Sequence, residues 1–290
     1  MSIRVPTYQL AALQEPAEKP AAFFFLGPDS AVPHLPIDRP YRSNYYKIGL
    51  CREGRARLNV NLESYVVEPG SLMVLSPHVI KQWPAMAADM DALSIFFTKE
   101  FISGSGSFNP DNFAFFERDA THVLQLPPAA AKRLSGLLLA IEQKCHEPHA
   151  YQEEILRSLL HILLHELAPI YSAQHTPSNI IRTRSQLITA EFKQLVNSHY
   201  ATERSLAFYA DKLCITTKHL AETVKEVTGK RAAEWLAEAV VLEAHVLLQN
   251  PALTVAQIAE TLHFADQSTF GRFFRRSAGV SPAGYRQRWA

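Results

Sequence analysis

Residues 258–286 read IAETLHFADQSTFGRFFRRSAGVSPAGYR, and upstream of them residues 206–229 read LAFYADKLCITTKHLAETVKEVTG. Each stretch opens with a short apolar segment around an alanine (Ala210; Ala259), passes a tight turn, and enters a longer segment of helical period. In the first, Leu220, Val224 and Val227 fall on one face and Gly229 stops the helix. In the second, Phe270, Phe273 and Phe274 form that face and Gly279 stops it. Ser205, Thr254 and Asp266 stand where side chains cap helix starts, and Ser281-Pro282 opens a last helix with Pro at its first position. The units begin 49 residues apart, at Leu206 and Val255, and a long helix from about Arg231 to Leu248 bridges them. A short helix, a tight turn and a longer helix, met twice, predict an all-α C-terminal domain of two helix-turn-helix units.

Working upstream, Ser185 can cap a helix carrying Leu187, Ile188, Phe192, Leu195 and Val196. Ala173 to Ser185, with Pro177 and several polar residues, reads as a linker. Before it lie two amphipathic helices. Leu134, Leu137, Leu138 and Ile141 stripe the first; Ile155, Leu156, Leu159, Leu160, Leu163 and Leu167 stripe the second, ended by Pro169. Such stripes either close the core of the preceding unit or form a dimer interface. Residues 1 to about 125 instead show short apolar runs between turn signals. Tyr45–Cys51, Arg57–Val60, Tyr65–Val67, Leu72–Leu75 and Leu93–Thr98 read as strands, and Ser103–Asn112 as a mobile loop. The fold class is therefore α+β multidomain. Residues 1–176 form a β-barrel or sandwich with helices at about 130–171, and 177–290 form the helical domain. Within the latter the first unit spans about 205–229, the connecting helix 231–249 and the second unit 254–279.

The 290 residues carry 29 Lys+Arg against 28 Asp+Glu, a net charge of +1, with 47% hydrophobic and 20% charged residues. That is the balance of a folded globular chain. It contains no apolar run of the roughly 20 residues a spanning helix needs. The first residues, MSIRVPTYQL, lack the pattern of a secretory signal, and Cys51, Cys145 and Cys214 offer neither a disulfide framework nor a CxxC clip. A reduced cytoplasmic protein with no membrane partner is expected. The near-neutral total conceals an asymmetry. Residues 178–290 hold 14 Lys+Arg and 10 Asp+Glu, net +4, which leaves −3 for the rest. After Phe270 come Arg272, Arg275, Arg276, Arg286 and Arg288 and no acid. Cations clustered beside a helix-turn-helix suit phosphate, because DNA affinity comes largely from displacing condensed counterions.

The two quoted stretches resemble the C-terminal domain of the AraC/XylS transcriptional regulators over roughly residues 180–290. The second is the more specific, matching an alanine, an aromatic turn residue, then F-x-R-x-F-[KR]-x-x-x-G-x-[ST]-P-x-x-[YF]-R. Three positions depart from the pattern: His263 stands where a turn glycine is expected, Thr269 where serine is frequent, and Gly271 lies inside a helix. The resemblance implies a sequence-specific DNA-binding regulator, most often an activator that contacts RNA polymerase, acting as a homodimer on double-stranded DNA. It places Thr217, Lys218, Ala221, Glu222 and Lys225 of the first unit at the DNA, and Gln267, Ser268, Gly271, Arg272 and Arg275 of the second. By chemistry Arg272 suits guanine, Gln267 adenine and Glu222 the amino group of cytosine. Acidic residues around Glu222 and Glu226 leave the second unit as the expected main contributor.

Glu68-Pro69-Gly70 before Leu72–Leu75 resembles the turn of a cupin barrel, the sensor domain that this family commonly carries ahead of its DNA-binding domain. The resemblance implies a small organic effector, with His34, Arg39, Tyr46 and His78 as candidate contacts and the helices at 130–171 as dimerisation and coupling elements. No cofactor and no metal are expected: there is no His-x-His, and Lys81 falls about where a metal-binding cupin has histidine. His161 and His165, with Glu166, match neither HExxH nor HxxEH and read as a polar helix edge. No nucleophile–base pairing or phosphate-cradling glycine loop appears, so an enzyme is not expected. The alternative of another class is a cupin-type enzyme with a helical accessory domain.

Overall fold

In the computed structural model, which describes residues 7–13, 22–27, 37–104, 106, 108–117, 120–175 and 183–289, the chain divides into two units, Thr7–Ser178 and Asn179–Ala290. The N-terminal unit begins with β1 (Thr7–Tyr8), β2 (Phe23–Leu26) and β3 (Arg42–Ser43), the first and third forming a short parallel pair. The longer strands follow: β4 (Tyr46–Glu53), β5 (Ala56–Val60), β6 (Glu63–Val67), β7 (Ser71–Leu75), β8 (Lys81–Met86) and β9 (Asp91–Phe97). After a short helix α1 (Lys99–Ser103) come β10 (Val123–Gln125), α2 (Pro128–His146) and α3 (Gln152–His175). Two antiparallel sheets result, one ordered β10-β7-β4-β9-β2 and one ordered β6-β5-β8.

The five-stranded sheet is buried on both faces, and alternation along its strands assigns each side chain to one of two cores. Tyr46, Ile48 and Leu50 of β4, Leu72 and Val74 of β7, and Leu93, Ile95 and Phe97 of β9 pack beneath α2 and α3. The residues between them, Cys51, Met73 and Leu75 among them, face the three-stranded sheet and meet Leu58, Val67 and Trp83. Leu134, Leu138 and Ile141 of α2 and Leu156, Leu160, Leu163 and Leu167 of α3 all lie in the first of these cores. The leucine stripes thus close this unit's own core. Leu139 and Ile162, on the outer surface of the pair, are the exposed apolar residues left over.

Several sequence expectations are corrected. The α3 helix does not end at Pro169 but continues to His175. The lost backbone bond is offset by Tyr171, which packs against Phe115 and whose hydroxyl accepts from the Thr121 N–H at 3.1 Å. Five strands escaped the reading. The two- and three-residue β1, β3 and β10 are too short to show a pattern, β8 holds Pro84, tolerated because the strand lies at a sheet edge, and the FFFL run of β2 shows no alternation. The expected mobile loop is pinned at Asp111, which accepts from the Tyr46 hydroxyl (2.5 Å), Lys99 Nζ (2.7 Å) and His78 Nε2 (3.2 Å). Burial works against its charge, yet these bonds hold its carboxyl below the usual range. Of the linker expected at 173–185, residues 176–182 lie outside the described residues.

The C-terminal unit is helical: α4 (Arg184–His199), α5 (Leu206–Lys212), α6 (Thr217–Thr228), α7 (Ala232–Leu248), α8 (Val255–Thr261), α9 (Gln267–Ala278) and α10 (Pro282–Trp289). Its first cap is Thr183, in a capping box with Gln186, rather than Ser185. Ser205, Thr254 and Asp266 cap as their positions suggest. The α7 helix is apolar nearly all round, burying Leu236, Val240, Ala244 and Leu247, and packs against α4, α6, α8, α9 and α10.

Both turns between paired helices place one residue in the left-handed region, Cys214 at φ 54° and His263 at φ 53°, again 49 positions apart. His263 therefore adopts the conformation a glycine would take there, against the steric preference of an L-residue. Replacing His263 or Cys214 by Gly is expected to raise stability by roughly 0.5–1 kcal/mol. Thermal unfolding of the single variants, read as a rise of a few degrees in Tm, checks this.

Candidate functional site

The longer helices of the two paired units, α6 and α9, expose matching faces. Leu220, Thr223 and Val224 turn α6 inward, and Phe270 and Phe274 turn α9 inward. On the opposite side α6 presents Thr217, Lys218, Ala221, Glu222 and Lys225, while α9 presents Gln267, Ser268, Gly271, Arg272 and Arg275. Ala221 and Gly271 are half-buried and the other eight are exposed. The two sets share the spacing i, i+1, i+4, i+5, i+8 and stand 50 positions apart, so each forms one continuous stripe on its helix.

The stripes differ in charge. Along α6 the two lysines are matched by Glu222 and Glu226, and Lys218 approaches Glu222 at 4.0 Å. Along α9 there are three arginines and no acid. Exposed Arg276 extends that positive surface, a residue the sequence reading counted only in its arginine cluster. Arg272 Nη2 rests 3.4 Å from Thr269 Oγ1, a long contact that leaves the guanidinium fork open to solvent. Nothing lies within 4 Å of where a Cβ on Gly271 would stand, so no packing inside the chain requires glycine there.

Three interior contacts hold this frame. Arg204, just before α5, lies 3.6 Å above the ring of Phe264 in the second unit's turn. The Tyr200 hydroxyl donates to the carboxylate of Glu243 on α7, both buried. His245 of α7 stacks on Tyr285 of α10 with ring centres 4.5 Å apart, and meets Phe274 of α9 edge-on.

In the N-terminal unit a cavity of about 230 Å³ opens on the side of the five-stranded sheet away from α2 and α3. Tyr41, Tyr45, Trp83 and Phe96 form aromatic walls, Met73, Met86 and Met90 apolar ones, and Lys47, Lys81, Ser94 and Asp91 supply polar groups. Lys47 Nζ lies 4.8 Å from the centre of the Trp83 ring and 5.3 Å from that of Phe96, with no hydrogen-bond or carboxylate partner among the described residues. Lys81 is 1% exposed and donates to Ser43 Oγ beneath the rings of Tyr45 and Tyr41. Burial pulls both ammonium groups down, Lys47 to about 8 and Lys81 to about 7, the latter helped by the neighbouring charges of Lys47 and Arg42.

The effector contacts expected from sequence do not line this cavity. Tyr46 sits on the other face of β4, stacked on Phe97 and joined with His78 to Asp111. Arg39 is half-buried outside the lining, and His34 lies outside the described residues. The lining residue is Lys47, one position along the strand. His161 and His165 pack against Phe108 and Phe113, and His161 Nε2 bonds to the Ile102 carbonyl at 3.0 Å. No helix of the described residues is long and apolar enough to cross a membrane.

Residues 209–288, from within α5 into α10, match a family model described as a helix-turn-helix domain. Over 257 residues the chain is 24% identical to the arabinose operon regulatory protein of Salmonella typhimurium, covering 86% of each chain. Over 251 residues it is 22% identical to the Msm operon regulatory protein of Streptococcus mutans, covering 85% of each. Among solved structures it is similar to ToxT from Vibrio cholerae at 16% identity, with a TM-score of 0.36 over 86% of this chain and 91% of that one.

Gly271→Ala is expected to stabilise the C-terminal unit by up to about 1 kcal/mol through helix propensity alone, since the added methyl meets open space; denaturant titration measures it. A second expectation concerns pH. Burial holds the His245 imidazole down at about 4, whereas in the unfolded chain it titrates near 6.5. Its contribution to stability is complete above about 6.5 and is lost as pH falls toward 4. His245→Phe should flatten the acid limb of the unit's stability profile across that window, followed by thermal melts at stepped pH.

Proposed function

We propose, from the premise that this chain is a DNA-binding transcriptional regulator whose C-terminal unit is a helix-turn-helix domain of the AraC/XylS type, that it reads a two-part site on double-stranded DNA through α6 and α9 and answers to a small organic effector. The observation that carries the proposal is the pair of exposed stripes with identical spacing, tied to one buried helix. A rigid pair of this kind suits successive major grooves on one face of B-DNA.

The roles divide by chemistry. Arg272 offers a bidentate donor pair to guanine, Gln267 a donor and acceptor to adenine, and Ser268 a small polar contact. Arg275 and Lys225 sit one turn further along, where a phosphate is the natural partner. Gly271 leaves room for the DNA to come close, and Thr217, Lys218, Ala221 and Glu222 form the weaker, nearly neutral surface of the first unit. Both curated relatives are operon regulatory proteins, which supports control of transcription, with activation through RNA polymerase as the mode. The chain works as a homodimer on this reading, with the exposed Leu139 and Ile162 of α2 and α3 available for contact between copies, and residues 1–176 and 177–290 serve as sensor and DNA-binding parts. Effector binding changes DNA affinity by favouring one of two arrangements, which requires different affinity for each.

Gel shifts on the chain's own upstream DNA test the assignment. Arg272→Ala should weaken the matched site by about 1–3 kcal/mol and relax preference at one base pair. Arg275→Ala should weaken all sequences alike and reduce the slope of log affinity against log salt by about one unit. Uniform weakening by Arg272→Ala would reassign it to phosphate, and equal affinity of the wild-type protein for unrelated DNA at every salt would sink the regulator reading.

A further inference from the structure

Resting on the effector reading above, we propose that the interior cavity is built for an organic carboxylate. Its acid group sits on Lys47 Nζ with Lys81 behind, and its apolar, preferably aromatic body lies between Trp83 and Phe96. Lys47 and Lys81 come from strands of different sheets, yet both reach the same void. An ammonium taken from water without a counter-charge is costly, and interior positions of this kind are ordinarily apolar. Lys47 has only two aromatic faces for company, so its three donors are uncommitted among the described residues.

The charges facing the cavity favour an anion. Lys47 and Lys81 are cations, and Arg42 adds positive potential beside Lys81. The acid of the lining, Asp91, is already paired with Arg52, Nη2 standing 2.5 Å from Oδ2, while its Oδ1 is buried without a hydrogen-bond partner among the described residues. Tyr41 and Tyr45 stay protonated, since burial raises both hydroxyls far above neutral pH. An unbalanced positive site with aromatic walls suits a monoanion on an apolar body. A polyol would meet two ammonium donors first, with the Arg52-paired Asp91, Ser94 and the tyrosine hydroxyls as the acceptor side chains of the lining. A phosphate dianion would find no arginine fork or nest of backbone N–H groups. The volume, close to that of roughly eight waters, fits a single ring or short chain.

A consequence follows for protons. In the empty cavity both lysines are partly neutral near pH 7–8, because burial depresses them. A carboxylate restores the charged form, so binding takes up protons, and affinity falls as pH rises above about 8.

Calorimetry on the full chain with phenylacetate, benzoate and hexanoate, each beside its neutral amide, tests the proposal. At pH 8, where about half of Lys47 is neutral, at least one acid should bind tenfold or more tighter than its amide, with proton uptake seen as a heat that depends on the buffer. Lys47→Met should reduce that preference to within twofold and abolish the uptake, leaving amide binding unchanged, whereas Asp91→Asn should keep the preference. Should Lys47→Met fold poorly, the acid–amide ratio and the buffer dependence of the wild-type protein decide alone. Equal binding of acids and amides, an acid preference surviving Lys47→Met, or tight acid binding without proton uptake would overturn the proposal. If neutral sugars, alcohols or amides bind and alter the gel shift while acids do not, the effector reading stands and the carboxylate falls. If no small molecule of either charge binds or alters the gel shift, both fall.

Discussion

The N-terminal unit depends on the alternation of β4, the central strand of a sheet buried on both sides. With a side-chain period of two, Tyr46, Ile48 and Leu50 must go to one core and Lys47, Gly49 and Cys51 to the other. Gly49 belongs to that arrangement: a Cβ there would stand 2.9 Å from both Met73 Cε and Ser94 Oγ, so the absence of a side chain keeps the sheet surface low beside Lys47. The first core has enough apolar surface to need α2 and α3 as a lid. The second is closed by β5, β6 and β8, and where Lys47 and Lys81 interrupt it the sheets leave a void instead of a packed interior.

The C-terminal unit obeys a different constraint. Its α7 helix has almost no polar face, so neighbours must cover it from every direction, and α4, α6, α8, α9 and α10 do so. Glu243 is the exception among its buried residues, and the Tyr200 hydroxyl satisfies it. Each helix pair attaches through the same kind of turn, with a non-glycine residue held at positive φ. A beam of this kind fixes α6 and α9 relative to each other, and fixed spacing is what reading two grooves demands. Their exposed faces differ in charge: α9 carries three arginines and no acid, whereas the lysines of α6 are matched by glutamates.

Legibility differed between the two units for physical reasons. Helix periodicity, capping residues and stop glycines are local, so Ser205, Thr254, Asp266, Gly229 and Gly279 marked helix ends from sequence alone. The exposed stripes followed from the same period, because a helix that buries Phe270 and Phe274 has no choice about where Arg272 and Arg275 go. The strands β4, β5, β6, β7 and β9 were readable from short apolar runs between turns. By contrast, β2 and β8 were not, since an unbroken apolar run and a strand holding Pro84 carry no period. The left-handed turn at His263 was foreseeable only as a question, because the backbone angle depends on how tightly α8 and α9 must close.

The sequence by itself determined that two helix-turn-helix units follow a β-rich unit along the chain, and which face of α6 and of α9 is polar. It could do so because those properties are set within a few residues of chain. Only the tertiary structure decided that the leucine stripes close a core, that Asp111 pins its loop, and that Lys47 rather than Tyr46 meets the cavity. Each of those facts depends on residues brought together from distant strands. One step of register along β4 exchanges the two faces of the sheet, and composition carries no record of that step.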